Sequence, residues 1–150
     1  MTKSFAAALV AVIGLGLAAP ALAAGPPPSI DDIAGATFSV RARGTEYDLS
    51  GETFKSDTEI VWTITKTGPA TVSFDSVFGG MAFSAHYVDG FLLQAVAFDA
   101  GSPPEAASSM FAAVSGQPGK LKLAGVLTVY DVPPGFQVLR VLKVSAKQIP

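Results

Sequence analysis

The chain has 150 residues, of which 49% are hydrophobic and only 15% are charged, and this balance favours a globular domain with a large core. Its net charge is −2 and its basic residues are scattered, which argues against nucleic acid as a partner. No cysteine is present and there is a single histidine, so disulfides, thiolate chemistry and a usual zinc site are excluded. We predict neither a metal nor a cofactor.

The first residues have the pattern of an export signal. Lys3 supplies a positive charge, an apolar run follows over residues 5–19, and Ala21-Leu22-Ala23 is a small-x-small cleavage motif. A membrane-spanning helix needs about twenty apolar residues, so we predict a signal peptide over residues 1–23 rather than an anchor. The protein is then expected in the periplasm or outside a bacterial cell, with no membrane span after cleavage.

The rest of the chain has the length of one domain. Residues 24–32 are predicted to be a tether, because Pro26-Pro27-Pro28 favours polyproline II and cannot enter a sheet interior. Residues 33–150 are predicted to form the domain, and the chain that remains after signal cleavage is long enough to bury about two-thirds of the surface that it exposes when unfolded.

Alternating apolar and polar residues predict strands along this domain. The first covers residues 37–43 with its charges outward, and residues 45–49 are a short partner strand beyond Gly44. Residues 59–66 show the clearest alternation, with β-branched side chains throughout, and they turn into a strand over residues 70–75.

The central feature is a hairpin over residues 81–98. Asp89-Gly90 between two apolar runs is the strongest short-range signal for a two-residue type I′ turn. Such a turn pairs Val88 with Phe91, and every other pair follows from it. One face is then large and apolar, with the pairs Tyr87/Leu92, Ala85/Gln94, Phe83/Val96 and Met81/Phe98. The other face is mostly small and carries His86.

Two interpretations stay open for residues 103–115. Ser102-Pro103-Pro104-Glu105 has the spacing of a capping box and favours at least one helical turn over residues 104–108, whereas residues 110–115 fit either a helix or a strand. Two further strands are predicted over residues 120–130 and 136–147. The last strand is apolar on both sides at its centre, which favours a position inside a sheet over an open edge.

Seven to nine strands, short turns and at most one short helix predict an all-β, antiparallel fold. We favour an up-and-down meander closed into a β-barrel, because closure removes the sheet edges, and a β-sandwich is the alternative. The entry Ile33-Ala34-Gly35-Ala36-Thr37-Phe38 followed by a meander resembles the opening of calycin barrels, the lipocalin and avidin type. The resemblance lies in the arrangement, since Thr37 stands where those families have Trp, and it implies a cup for a small apolar ligand.

The leading functional hypothesis is a non-enzymatic, lipocalin-like barrel that binds a small hydrophobic or amphipathic ligand. An apolar lining with one polar group is usual for a small-molecule pocket. Seven residues are predicted to line it: Trp62, Phe83, Tyr87, Leu92, Gln94, Val96 and Phe98. Gln94 is singled out because an unpaired buried amide costs ~1–3 kcal/mol, so it needs a backbone, water or ligand partner.

The alternative function is a structural or protein-interaction module with a packed interior and no ligand. Its working surface would be the small-residue face that contains Ala82, Ser84, Ala95 and Ala97. An enzyme that uses His86 is disfavoured, because no nucleophile-elbow spacing appears in the sequence. Asp31-Asp32 and Asp57-Thr58-Glu59 lack the spacing of a calcium loop, so we interpret the first pair as a solvated entry and Asp57 as a turn residue.

Overall fold

The computed structural model describes residues 26–48, 50–77, 81–98, 106–131 and 138–150. At residues 76–77, 81–83, 95–98, 106–107 and 131 it describes the backbone alone. The predicted signal peptide and the connections 78–80, 99–105 and 132–137 lie outside the described residues.

Eight antiparallel strands form a closed barrel in which each strand pairs with the next and the last pairs with the first. They are β1 (Thr37–Asp48), β2 (Thr53–Lys66), β3 (Thr71–Val77), β4 (Met81–Val88), β5 (Phe91–Phe98), β6 (Ala106–Ser115), β7 (Lys122–Asp131) and β8 (Val138–Ile149). A short helix, α1 (Ile30–Ile33), precedes them. The all-β meander and its closure are therefore confirmed. No helix in the described part of the chain is long and apolar enough to cross a membrane.

β1 is one uninterrupted strand, so the predicted break at Gly44 is wrong. Gly44 pairs with Leu142 of β8, and a β-carbon at this position would overlap the carbonyl oxygen of Val141. Glycine inside a strand often marks a close backbone approach, and here it lets β1 and β8 come together. The glycine therefore serves barrel closure and not a turn.

β6 resolves the ambiguous stretch as a strand. It pairs with β7 without a register shift from Ala106 to Ser115, so the helical turn predicted over residues 104–108 is wrong where the structure describes it. Ladders with β5 and β7 give β6 backbone partners on both sides. Long-range pairing therefore overrides the local capping signal.

The predicted hairpin register is confirmed next to its turn. Asp89 and Gly90 have φ values of 47° and 87°, both positive as a type I′ turn requires. Three of the predicted pairs are present: Val88/Phe91, Tyr87/Leu92 and His86/Leu93. The side chains of the outer pairs Phe83/Val96 and Met81/Phe98 lie outside the described residues.

The segment before β1 closes one end of the barrel, which we term the floor. Ser29 and Asp32 form a capping box at the start of α1, and Ile33 at its end is fully buried. Pro28 is also buried, and its carbonyl accepts a hydrogen bond from the Tyr87 hydroxyl. Burial raises the pKa of Tyr87, so the phenol stays neutral and able to donate. The described part of the predicted tether thus packs against the barrel.

The outer face of β1 and β2 carries a cluster of charges. Arg41 donates to both carboxylate oxygens of Asp57 at 2.8 Å, and Arg43 lies 3.2 Å from the same carboxylate. These contacts, the Arg41 hydrogen bonds first, lower the pKa of Asp57 to about 2. Asp57 therefore lies within a strand, and its interpretation as a turn residue is wrong. The outward direction predicted for Arg41 and Arg43 is confirmed.

Replacing Asp57 with Asn should lower the melting temperature near pH 6 by about 3 °C at most, because exposed ion pairs contribute little. A carboxyl with a lowered folded pKa stabilises the protein above its unfolded pKa of about 4. That stabilisation is lost as the pH falls through about 2. Melting curves of both proteins, followed by circular dichroism between neutral and strongly acid pH, should converge at the acid end.

Glu59→Gln is the matched control, because its carboxylate is 3.9 Å from the Arg41 Nε and should have less effect. A difference between wild type and Asp57→Asn that persisted well below the folded pKa would contradict the ion-pair explanation.

Candidate functional site

Among the described side chains, Gln94 is the only polar or charged one that is buried, and 6% of its surface is exposed. Its Nε2 donates a hydrogen bond to the Ser108 hydroxyl oxygen over 3.1 Å. Its Oε1 is buried and accepts no hydrogen bond from any described group. A buried carbonyl oxygen without a donor costs ~1–3 kcal/mol, so this atom needs a partner.

A β-bulge follows Gln94 in β5. β5 pairs with β6 at Gln94/Met110 and again at Ala97/Ser108, so β5 has one residue more than β6 between these two points. Bulges redirect nearby side chains and are frequent at barrel rims and beside active sites. Ser108 is two residues from Met110 on the same face of β6, so the long Gln94 side chain reaches it diagonally. A second one-residue shift lies between β3 and β4.

An ion pair lies on the inward side of β1 and β8. Glu46 shares the strand face of buried Ala42, and Arg140 that of buried Leu142. The Arg140 Nε is 3.3 Å from the Glu46 Oε2, and the two side chains are only 22% and 26% exposed. Because β5 is four strands from β1 in a barrel of eight, Gln94 and Glu46 occupy opposite walls.

Backbone register places Ser108, Arg140 and Glu46 in one row across neighbouring strands, which we term the polar row. From β6 to β2 it consists of Ser108, Val129, Arg140, Glu46 and Phe54. Phe54 is 53% exposed and lies beside the β1–β2 turn, at the end of the barrel opposite the floor. We term this end the rim.

Toward the floor the lining becomes apolar. The next row consists of Gly44, Leu142, Leu127, Met110 and Gln94. The row after that consists of Ala42, Val144, Gly125, Ala112 and Leu92. Three positions of this second row are Ala or Gly, so its side chains fill less volume than a row of Leu or Phe would. We term it the small-residue row, and the lumen is polar at the rim and apolar below.

The structure places part of the predicted lining inside the barrel. Trp62 and Leu92 are fully buried and Tyr87 is 7% exposed, so they share the interior with Gln94. Tyr87 reaches the floor, whereas Gln94 lies nearer the rim. The side chains of Phe83, Val96 and Phe98 lie outside the described residues. That these residues line a ligand site stays a prediction.

Three polar residues of the lumen, Ser108, Glu46 and Arg140, are absent from the predicted lining. The inward direction of Arg140 could have been predicted, because alternation puts it on one face with the buried residues of the last strand. Ser108 lies within residues 103–115, for which the sequence allowed either a helix or a strand. Glu46 follows the break that was wrongly predicted at Gly44. For these two, the sequence pattern gave no direction for the side chain.

His86 lies on the outer wall of the barrel. It is exposed and pairs with Thr71 on one side and Leu93 on the other. Within the described ranges, no group of three His, Cys, Asp or Glu side chains could hold a metal ion. His86 is therefore separated from the polar groups of the lumen by the barrel wall.

The outer wall around His86 is apolar. Leu93, Phe111 and Val126 continue its row across β5, β6 and β7, and the rings of Phe91 and Phe111 stack with centroids 5.5 Å apart. Ser84, from the predicted small-residue interaction face, is exposed on the same wall. The side chains of the other members of that face, Ala82, Ala95 and Ala97, lie outside the described residues.

No family model and no curated protein matches this chain. Among solved structures, it is similar to a crystal structure of a structural-genomics protein of unknown function from Bacteroides ovatus. The TM-score is 0.44 and the sequence identity is 10%, over 74% of this chain. This chain spans 41% of the length of that protein. The eight-stranded meander is compatible with the calycin resemblance, and a similarity this low assigns no function.

Proposed function

We propose that the protein is an exported β-barrel that binds a small amphipathic molecule in its lumen, between the polar row and the floor. The observation that carries the proposal is the buried Gln94, whose Oε1 has no donor among the described groups. A bound molecule would supply that donor. Eight-stranded barrels are wide enough to hold one small ligand.

The order of side chains along the lumen supports this proposal. Pockets for small molecules combine a mostly apolar lining with a few polar groups that orient the ligand. Here the hydrogen-bonded pair Gln94 and Ser108 lies above the small-residue row, in which Ala42 and Ala112 have smaller side chains than the neighbouring Leu92 and Val144. The polar end of the ligand would face the rim.

Uptake of N-phenyl-1-naphthylamine, a neutral fluorescent probe, tests this proposal on the exported protein. We expect saturable fluorescence enhancement with one probe per chain. Ser108→Phe puts a ring into the lumen and should weaken probe binding at least about tenfold, equivalent to about 1.4 kcal/mol. Leu93→Ser changes the outer apolar wall and is the matched control, for which we expect wild-type uptake.

Circular dichroism melting curves establish that each variant is folded, and Ala112→Leu is a second way to fill the lumen should Ser108→Phe not fold. Uptake that is lost in Leu93→Ser but kept in Ser108→Phe would place the probe on the outer wall and contradict the proposal. A folded wild-type protein that takes up no probe would favour the interaction module with a packed interior.

A further inference from the structure

From the hydrogen bond that Gln94 makes and the one that its oxygen lacks, we infer that the lumen selects an uncharged ligand that can donate a hydrogen bond over a carboxylate. The hydroxyl of a long-chain or polycyclic alcohol is such a donor. This inference rests on the proposed function and names the chemical class of its ligand.

The Oε1 of Gln94 is the atom of the amide that makes no hydrogen bond with any described group. A side-chain amide has two N–H donors and one oxygen acceptor. The Nε2 already donates to the Ser108 hydroxyl oxygen, while the Oε1 is buried without a described donor. A ligand hydroxyl would donate to this oxygen. A carboxylate could accept from the second Nε2 N–H but has no proton to donate, so it would leave the Gln94 oxygen unsatisfied, whereas a hydroxyl can both donate and accept.

The charges of the lumen also favour a neutral head group. Glu46 and Arg140 face each other at 3.3 Å in the polar row, so each charge is already compensated. An ionised ligand at Gln94 would have to give up its hydration without an opposite charge to replace it, since the described pair on the opposite wall is already compensated. A neutral hydroxyl has a much smaller hydration penalty and still satisfies Gln94.

Competition among three dodecyl compounds for bound N-phenyl-1-naphthylamine tests the inference. Dodecan-1-ol can donate and accept, dodecyl methyl ether can only accept, and dodecanoate above neutral pH is a charged acceptor. We expect the alcohol to displace the probe at about tenfold lower concentration than either competitor, which corresponds to about 1.4 kcal/mol.

Two glutamine variants assign the preference to one atom. Gln94→Met keeps the side-chain length and removes the amide, so the alcohol-to-ether preference should fall to about one. Gln148→Met is the matched control, because the Gln148 Oε1 already accepts from the Leu121 N–H at 3.1 Å. The control should keep the wild-type preference. Gln94→Leu also removes the acceptor and should likewise lose the preference, which covers a Gln94→Met protein that does not fold.

Equal displacement by the alcohol and the ether in the wild type would overturn the inference, and so would tighter binding of dodecanoate. A preference that survived in folded Gln94→Met would also overturn it. In each of these cases, uptake of the naphthylamine probe would still support the proposed function, whereas absence of uptake would contradict the function itself.

Discussion

Replacing Trp62 with Ala should lower the free energy of unfolding by about 3–5 kcal/mol. Trp62 is fully buried, and its ring meets Phe74 edge-on with centroids 5.3 Å apart and an interplanar angle of 69°. The substitution removes one of the largest side chains in the barrel. The cavity would persist because each strand is held by a neighbour on both sides, so the wall cannot collapse inward.

Urea unfolding followed by far-ultraviolet circular dichroism measures this loss. Trp62 is the only tryptophan, so its fluorescence cannot report on the variant. Val61→Ala is the control, because Val61 is the adjacent residue on the outer wall and is 52% exposed. We expect the control to change stability by about 0.5 kcal/mol or less. Similar losses in the two variants would contradict the inward placement of Trp62.

The barrel wall was predictable because its signals are local. Alternation along β8 separates buried Leu142 and Val144 from exposed Lys143, and the same pattern holds over residues 37–43 of β1. Asp89-Gly90 sets the register of a hairpin through the turn alone, and the three pairs next to the turn follow from it. One buried face and one solvated face leave little freedom for register slips.

Gly44 and residues 104–108 show where local signals mislead. A glycine in an alternating strand fits either a chain reversal or a close backbone approach, and the position of β8 decides between them. The capping pattern at Ser102 to Glu105 is likewise short-range. Pairing of β6 with two neighbouring strands outweighs one helical turn.

The candidate site was only partly predictable for a related reason. The hairpin register put Gln94 among apolar residues, but its partner Ser108 lies on β6, where the local sequence pattern favoured a helical turn. The Glu46–Arg140 pair joins the first and last strands, so it exists only once the barrel is closed. Sequence reasoning can therefore find the unsatisfied amide before it can find the other polar groups around it.

Gly125→Val should destabilise the barrel by about 3 kcal/mol or more. The added side chain would clash with backbone atoms, which cannot move aside as a flexible side chain could. A β-carbon at Gly125 would overlap the carbonyl oxygen of Phe111 and lie 2.5 Å from the Cα of Ala112. Both atoms belong to the paired strand β6. Relief would require β6 and β7 to move apart, at the cost of the ladder hydrogen bonds between them.

Ala124→Val is the matched control, since Ala124 is the preceding residue of β7 and is exposed on the outer wall. A β-branched residue suits an exposed strand position, so we expect a change within about 0.5 kcal/mol. Urea unfolding measures both effects.

Because Gly125 belongs to the small-residue row, separation of β6 and β7 would also displace Ser108 relative to Gln94. A folded Gly125→Val protein with wild-type stability would mean that the two strands are not in close contact at this row. The spacing between β6 and β7 at the small-residue row would then be larger than the register implies, and this row would not shape the lumen.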